Sequence, residues 1–152
     1  MAKDVALLVL RLSGFGLAFA HGWQKVSMLS SGNGDRFVAG VEAIGFPLPI
    51  VFAWAAALSE FVGGLCIAFG IATRVAAGFA AFTVFVASFF RHRLPQQMLV
   101  WMGASSYPED VIDSWGNPER AATYLLIFIA LVLMGGGGFS LQRLIRGGKK
   151  RR

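Results

Sequence analysis

The chain has 152 residues, the length of one domain. Hydrophobic residues make up 56% of it and charged residues 14%, whereas a soluble domain has roughly 45–50% and about 25%. These proportions, together with a single cysteine, exclude a disordered chain, a coiled coil and a disulfide-stabilised secreted domain. They predict an all-α, polytopic membrane protein whose apolar surface faces lipid.

The net charge of +6 is concentrated at the C-terminal end of the chain. Six basic residues lie in the last ten positions: Arg143, Arg146, Lys149, Lys150, Arg151 and Arg152. A cluster beside a membrane span is typical of a cytoplasmic tail near anionic lipid head groups. We therefore interpret residues 143–152 as a basic cytoplasmic tail. We expect no nucleic-acid partner, because the rest of the chain has no aromatic-interleaved basic face.

Four apolar runs follow one another along the chain, each close to the roughly 20 residues that a helix needs to cross a bilayer. They cover residues 5–28, 50–72, 75–90 and 121–139. Asp4 and Arg11 argue against a cleaved signal peptide, so we expect the first run to be retained. The runs predict a four-transmembrane-helix bundle over residues 1–142.

The orientation follows from the basic residues in the connections. With four spans, Lys3 and Arg74 fall on the same side as the basic tail. In the loops on the opposite side, acidic residues outnumber basic ones. We expect both termini to be cytoplasmic.

The two loops on the outer side differ in pattern. Residues 30–48 carry apolar side chains at helical spacing, which predicts a short amphipathic helix at the interface: Phe37, Val38, Val41 and Ile44. Residues 91–119 carry aromatic side chains among prolines and acids, a pattern typical of a membrane–water boundary: Trp101, Tyr107 and Trp115.

Glu60 is the most informative ionisable residue, because a charge inside hydrocarbon requires a partner or water. It lies about ten residues into the second run, roughly 15 Å from the outer surface. Its neighbours at three and four positions are all small and admit either a close-packed helix or a ligand: Ala56, Ala57, Gly63 and Gly64. Arg11 is the expected partner, in either a structural salt bridge or the charged floor of a cavity.

Three further ionisable groups are expected to converge near the outer face. His21 lies near the end of the first run, His92 ends the third, and Glu119 opens the fourth. They could relay protons or bind a polar head group, or they could be ordinary interfacial residues. A haem between the two histidines is not expected, because both lie at the boundary and no attachment motif is present.

Other chemistry has little support. The lone Cys66 has no partner for thiol exchange. The glycines at residues 135–138 follow no strand, so we interpret them as a helix terminus rather than a phosphate loop. No metal site and no catalytic residue are predicted.

Four sequence elements in this order resemble the DoxX family of small integral membrane proteins. They are LRLSGFGLAFAHGWQKV at residues 10–26, GFPLP…AWAAALSEFVGGLCIAFGIATRVAA at residues 45–77, His92, and NPERAATYLL…GGGGFSL at residues 117–141. The resemblance runs from residue 7 to residue 144 and implies a four-helix membrane bundle. Relatives include a membrane subunit of a thiosulfate:quinone oxidoreductase, but also proteins without redox function.

The resemblance therefore implies an inner-membrane subunit of a quinone-linked system for sulfur or oxidative-stress redox chemistry, with electrons supplied by a partner. The expected ligand, a quinone or similar amphiphile, would contact seven residues: Arg11, His21, Trp23, Gln24, Glu60, His92 and Glu119. The alternative is a non-catalytic anchor that holds membrane or periplasmic subunits through residues 91–119. A transporter is a weaker third possibility.

Overall fold

The computed structural model describes residues 1–149, so the tail residues Lys150, Arg151 and Arg152 lie outside the described part. Within that part the chain is helical and contains no strand. Two π-helical segments, Ala18–Gly22 and Ala87–Arg91, continue α1 and α5 respectively. The α-helices are α1 (Ala2–Leu17), α2 (Trp23–Ser30), α3 (Asp35–Ala43), α4 (Pro49–Phe69), α5 (Thr73–Val86), α6 (Leu94–Trp101), α7 (Glu109–Trp115), α8 (Glu119–Met134) and α9 (Leu141–Lys149).

Four helical stretches are long and apolar enough to cross a membrane, which confirms the predicted all-α membrane fold. They are Ala2–Ser30, Pro49–Phe69, Thr73–Arg91 and Glu109–Met134. The last stretch contains α7 and α8, separated by residues 116–118. The glycines at residues 135–138 form the terminus of the fourth helix, as predicted, because Gly135 turns the chain with a φ of 77° directly after Met134.

The bundle has two ends, which we call the terminal end and the loop end. The terminal end carries the N-terminus, the α4–α5 turn and α9, and the loop end carries α2, α3, α6 and α7. Between them α1 packs on α4, α4 on α5, and α5 on α8. The buried core includes Leu17, Ile67 and Phe128. Apolar side chains such as Leu126 and Leu133, both 70% exposed, remain on the outside as lipid requires.

The two connections at the loop end contain short helices. The predicted amphipathic helix is confirmed as α3, which packs on α4. Residues 91–119 contain α6 and α7, with the rings of Tyr107 and Trp115 in edge contact at 5.0 Å. At the terminal end, the predicted tail begins within α9, so its residues 143–149 are helical.

Candidate functional site

Lys25 and Glu60 form a buried ion pair between the first and second spans. The Lys25 ammonium lies 2.5 and 2.6 Å from the two carboxylate oxygens of Glu60. The Glu60 side chain is 3% exposed and that of Lys25 is 23% exposed. The ammonium also lies 5.4 Å from the ring centroid of Phe37 in α3, a cation–π arrangement. The pair therefore joins α2, α3 and α4 at the loop end.

The predicted pair between Arg11 and Glu60 is wrong, and helix geometry explains the difference. Side chains on a helix lean toward its N-terminus. In the first span, both Arg11 and Lys25 therefore lean toward the terminal end, Arg11 away from Glu60 and Lys25 toward it. The antiparallel α4 aims Glu60 toward the loop end, where Lys25 meets it.

Arg11 instead binds the glycine turn that follows α8. Its guanidinium donates to the carbonyl oxygens of Gly136, at 2.6 Å, and Phe139, at 3.2 Å. Arg11 is 2% exposed, and its Nε has no hydrogen-bond partner. The guanidinium also lies beside Gly70, where α4 ends. A cation among the carbonyl ends of two helices is favourable, which explains a buried charge without a carboxylate.

Small residues bring α1 and α4 into backbone contact around the Glu60 level. A methyl group added to Gly14 would overlap the Gly64 carbonyl oxygen, and one added to Gly22 would overlap the backbone of Phe61. The small residues beside Glu60 therefore serve close helix packing, the first of the two roles that the sequence allowed. Glu60 lies in this interface rather than in an open cavity.

An open groove lies between the first span and the start of the fourth, with a volume of about 760 Å³. Its wall combines polar and apolar groups: Ser13, Ala20, His21, Asn117, Glu119, Arg120, Thr123, Tyr124 and Ile127. The rings of His21 and Tyr124 meet edge to face at 6.0 Å. Lys25 lies four residues after His21 in the first span, so the buried pair is close to the groove along the chain.

A π-helical segment places His21 in this groove. The segment Ala18–Gly22 contains one more residue in its turn than an α-helix would. Gly22 can thus pack on Phe61 of α4 while His21, the preceding residue, faces Tyr124 of α8. Such local π-helices are frequent at functional sites.

The other predicted site residues lie apart from the groove. Nδ1 of His92 lies 2.7 Å from the carbonyl oxygen of Trp115, so that ring fastens α5 to the end of α7. His92 does not line the groove, and the predicted convergence of His21, His92 and Glu119 near the outer face stays a prediction. Trp23 is 52% exposed and packs on Phe61.

Gln24 is exposed as well and does not line the groove. Of the seven predicted residues, the groove wall includes His21 and Glu119. The ligand-binding role of all seven stays a prediction, and only His21 and Glu119 are placed to contact a ligand in this groove.

The DoxX family model matches residues 6–93, more than half of the chain. The chain belongs to the DoxX family. The inner membrane protein YqjF of Escherichia coli (strain K12) is 29% identical to it over 144 residues, which cover 94% of each protein. No solved structure matches the chain significantly.

The matched family segment supplies one wall of the groove, and α8 supplies the other. Ser13 and His21 lie within the segment, whereas Asn117 and Tyr124 lie beyond it. Most of the groove wall was not predicted, including Tyr124, and neither was Lys25 as the partner of Glu60. Helix spacing relates Tyr124 to another residue of the groove wall. Tyr124 lies four residues after Arg120 and therefore on the same face of α8.

The groove offers hydrogen-bonding groups in an otherwise apolar setting. The hydroxyl group of Tyr124 lies close to Gly16. A methyl carbon added to Gly16 would come within 2.5 Å of the hydroxyl oxygen. The imidazole of His21 can donate or accept a proton, and Ser13 and Thr123 add hydroxyl groups. Asn117 is less available, because its side-chain oxygen accepts the backbone N–H of Glu119 at 2.8 Å. Residues 1–149 contain no cluster of three potential metal ligands of the His, Cys, Asp or Glu type.

Proposed function

We propose that this DoxX protein is an inner-membrane subunit of a quinone-linked redox system, and that its groove binds a quinone or a similar amphiphile. The groove carries the proposal, because it sets the protonatable His21 and the Tyr124 hydroxyl against apolar side chains. A volume of about 760 Å³ lies within the roughly 300–1,000 Å³ of small-molecule sites. The residues present therefore fit an amphiphile with a polar ring and an apolar tail.

The chemistry of the groove suits such a ring. A quinone would supply two-electron, two-proton chemistry, with the electrons coming from a partner subunit. The Tyr124 hydroxyl and the His21 imidazole can each donate a hydrogen bond to a carbonyl oxygen. His21 can also hold a proton that is exchanged with the ring. Ala20 and Ile127 provide apolar contacts beside these groups.

The location and orientation follow from charge and from the relative. The Escherichia coli relative is named as an inner membrane protein, and we propose the same membrane for this chain. The basic residues at the terminal end support a cytoplasmic position for both termini by the positive-inside rule. The groove and the loop end would then face the periplasmic side.

Photoaffinity labelling tests the proposal. The protein in nanodiscs is illuminated with an azidoquinone, and the labelled peptides are mapped by mass spectrometry. We expect label on residues 13–21 and 117–127, with competition by excess decylubiquinone. Tyr124→Phe should reduce this label about fivefold, the value of one hydrogen bond. Trp23→Leu is the matched control, because Trp23 lies outside the groove wall and should leave the label unchanged.

The proposal is wrong if the label spreads over lipid-facing surfaces such as that of Phe79 and decylubiquinone does not compete. Phe79 in α5 is 64% exposed. Label on this residue would indicate that the azidoquinone simply partitions into the bilayer. Equal labelling of the wild-type protein and the Tyr124→Phe variant would also contradict binding in the groove.

A second function, the membrane anchor, is favoured by the surface of the loop end. At the end of α6, Trp101 and Met102 are 63% and 67% exposed, a large apolar surface for a water boundary. We propose this surface as the contact for a membrane or periplasmic subunit. Replacing both residues with serine should remove a co-purifying subunit while quinone labelling persists. Co-purification that survives the replacement would contradict the anchor.

A further inference from the structure

The last helix has an apolar face that the described part of the chain leaves largely exposed. In α9, Leu141 is 40% exposed, Leu144 is 66% and Ile145 is 62%. At 100° per residue these three side chains fall within about 100° of one another on the helix. Basic residues occupy other positions of the same segment, at Arg143, Arg146 and Lys149. α9 is therefore strongly amphipathic.

The connections of α9 place it at the terminal end of the bundle, where the fourth span ends. α8 ends at Met134, and α9 begins after only six intervening residues. The backbone N–H of Gln142 donates to the Gly70 carbonyl oxygen at 3.4 Å, and the Gln142 side chain accepts from the Ala72 N–H at 3.0 Å. These bonds hold the start of α9 against the α4–α5 turn. The helix consequently lies at the level where the spans leave the bilayer.

α9 needs a surface to remain helical. It has nine residues and contains Gly147 and Gly148. Helices shorter than about 12–15 residues are marginal in water, and glycine weakens them further. An apolar face at a membrane boundary finds that surface in the acyl region, and adjacent basic side chains find anions in lipid head groups.

We propose that α9 is an interfacial helix that binds anionic lipid. Leu141, Leu144 and Ile145 enter the head-group and acyl boundary, and the positive charge that the sequence concentrates in residues 143–152 attracts lipid phosphates. Charge complementarity selects this partner, because six of the 14 basic residues lie in the last ten positions, which contain no acid. The inference does not depend on the groove or on its ligand.

Hydrogen–deuterium exchange on the full chain tests the proposal. The protein is placed in nanodiscs of phosphatidylcholine alone and in nanodiscs with added phosphatidylglycerol. We expect exchange of residues 143–149 to slow by about tenfold or more in the anionic lipid, because several basic side chains act together. High salt should reverse this protection. Residues 35–43, at the opposite end, are the internal control and should exchange equally in both lipids.

Two variants separate the apolar and the charged contributions. Leu144→Ser with Ile145→Ser keeps every charge and should lose the protection in anionic lipid. Arg146→Gln with Lys149→Gln keeps the apolar face and should weaken only the dependence on lipid charge, because four of the six basic residues remain. Exchange that is the same in both lipids for the wild-type protein, or protection insensitive to salt, would overturn the proposal. Protection retained by the double serine variant would overturn the role of the apolar face.

Discussion

The ammonium group of Lys25 contacts both carboxylate oxygens of Glu60, at 2.5 and 2.6 Å, inside the membrane-spanning part of the bundle. This contact connects the first two spans at the loop end. Because Lys25 lies four residues after His21 in the first span, the pair also adds charged groups close to the groove along the chain. A charge in hydrocarbon is tolerated when it is paired, and here each charged side chain is the partner of the other.

The first prediction concerns this pair. Lys25→Leu leaves the carboxylate of Glu60 buried without a partner and should cost about 3–5 kcal/mol of unfolding free energy. Glu60→Leu should cost less, because the long Lys25 side chain can extend toward the membrane surface. The double variant should be more stable than Lys25→Leu, since it removes both charges. Unfolding in a denaturing detergent measures all three, and additive losses in the double variant would contradict the pairing.

The second prediction concerns the contact between α1 and α4. Gly14→Ala places a methyl group against the Gly64 carbonyl oxygen and should destabilise the bundle by about 1–3 kcal/mol, the range for overpacking. Gly78→Ala in α5 is the matched control, because no atom lies within 4 Å of its added methyl group. Thermal unfolding should separate the two variants. Equal melting temperatures would show that the two backbones are not in close contact.

The third prediction concerns the position of the Tyr124 hydroxyl. Gly16→Ala adds a methyl carbon 2.5 Å from that oxygen, and the tyrosine ring must move. The fold should tolerate this, because the contact is with the end of a side chain rather than with backbone. Azidoquinone labelling of residues 117–127 should fall, while the melting temperature stays within a few degrees of wild type. Unchanged labelling would show that this hydroxyl does not contact the ligand.

The fourth prediction concerns Arg11 and the glycine turn. Arg11→Leu leaves the carbonyl oxygens of Gly136 and Phe139 without their donors and should cost about 1–3 kcal/mol. Arg11→Lys keeps one ammonium near these oxygens and should recover part of the loss. Quinone labelling should be unaffected per folded molecule, because Arg11 lies outside the groove wall. A leucine variant as stable as wild type would contradict the role of Arg11 in this turn.

Much of the fold could be predicted from the sequence because lipid leaves few alternatives. Apolar runs near span length must form helices, so the four spans and the bundle follow. The short helix α3 followed from apolar spacing alone. The glycine terminus was also predicted, although apolar residues continue to Phe139, and the positive φ of Gly135 ends the helix at Met134.

The site was harder to predict because side-chain direction and helix register decide it. Arg11 and Lys25 lie on the same face of the first span. Their approximate depth in the membrane did not identify which of them pairs with Glu60. The lean of side chains toward the helix N-terminus does identify the partner. No sequence pattern marked the π-helical segment that turns His21 toward Tyr124. His92 was assigned to the same site because of its expected depth in the membrane. In the structure its ring is bonded to the carbonyl oxygen of Trp115.

Native mass spectrometry of the protein extracted gently from its own membrane is the most direct test of the groove. It detects small ligands and partner chains in one measurement. Wild-type protein should carry an adduct of quinone mass, which Tyr124→Phe combined with His21→Leu removes and Trp23→Leu retains. A protein without such an adduct, or an adduct that persists in the double variant, would contradict the proposed quinone site.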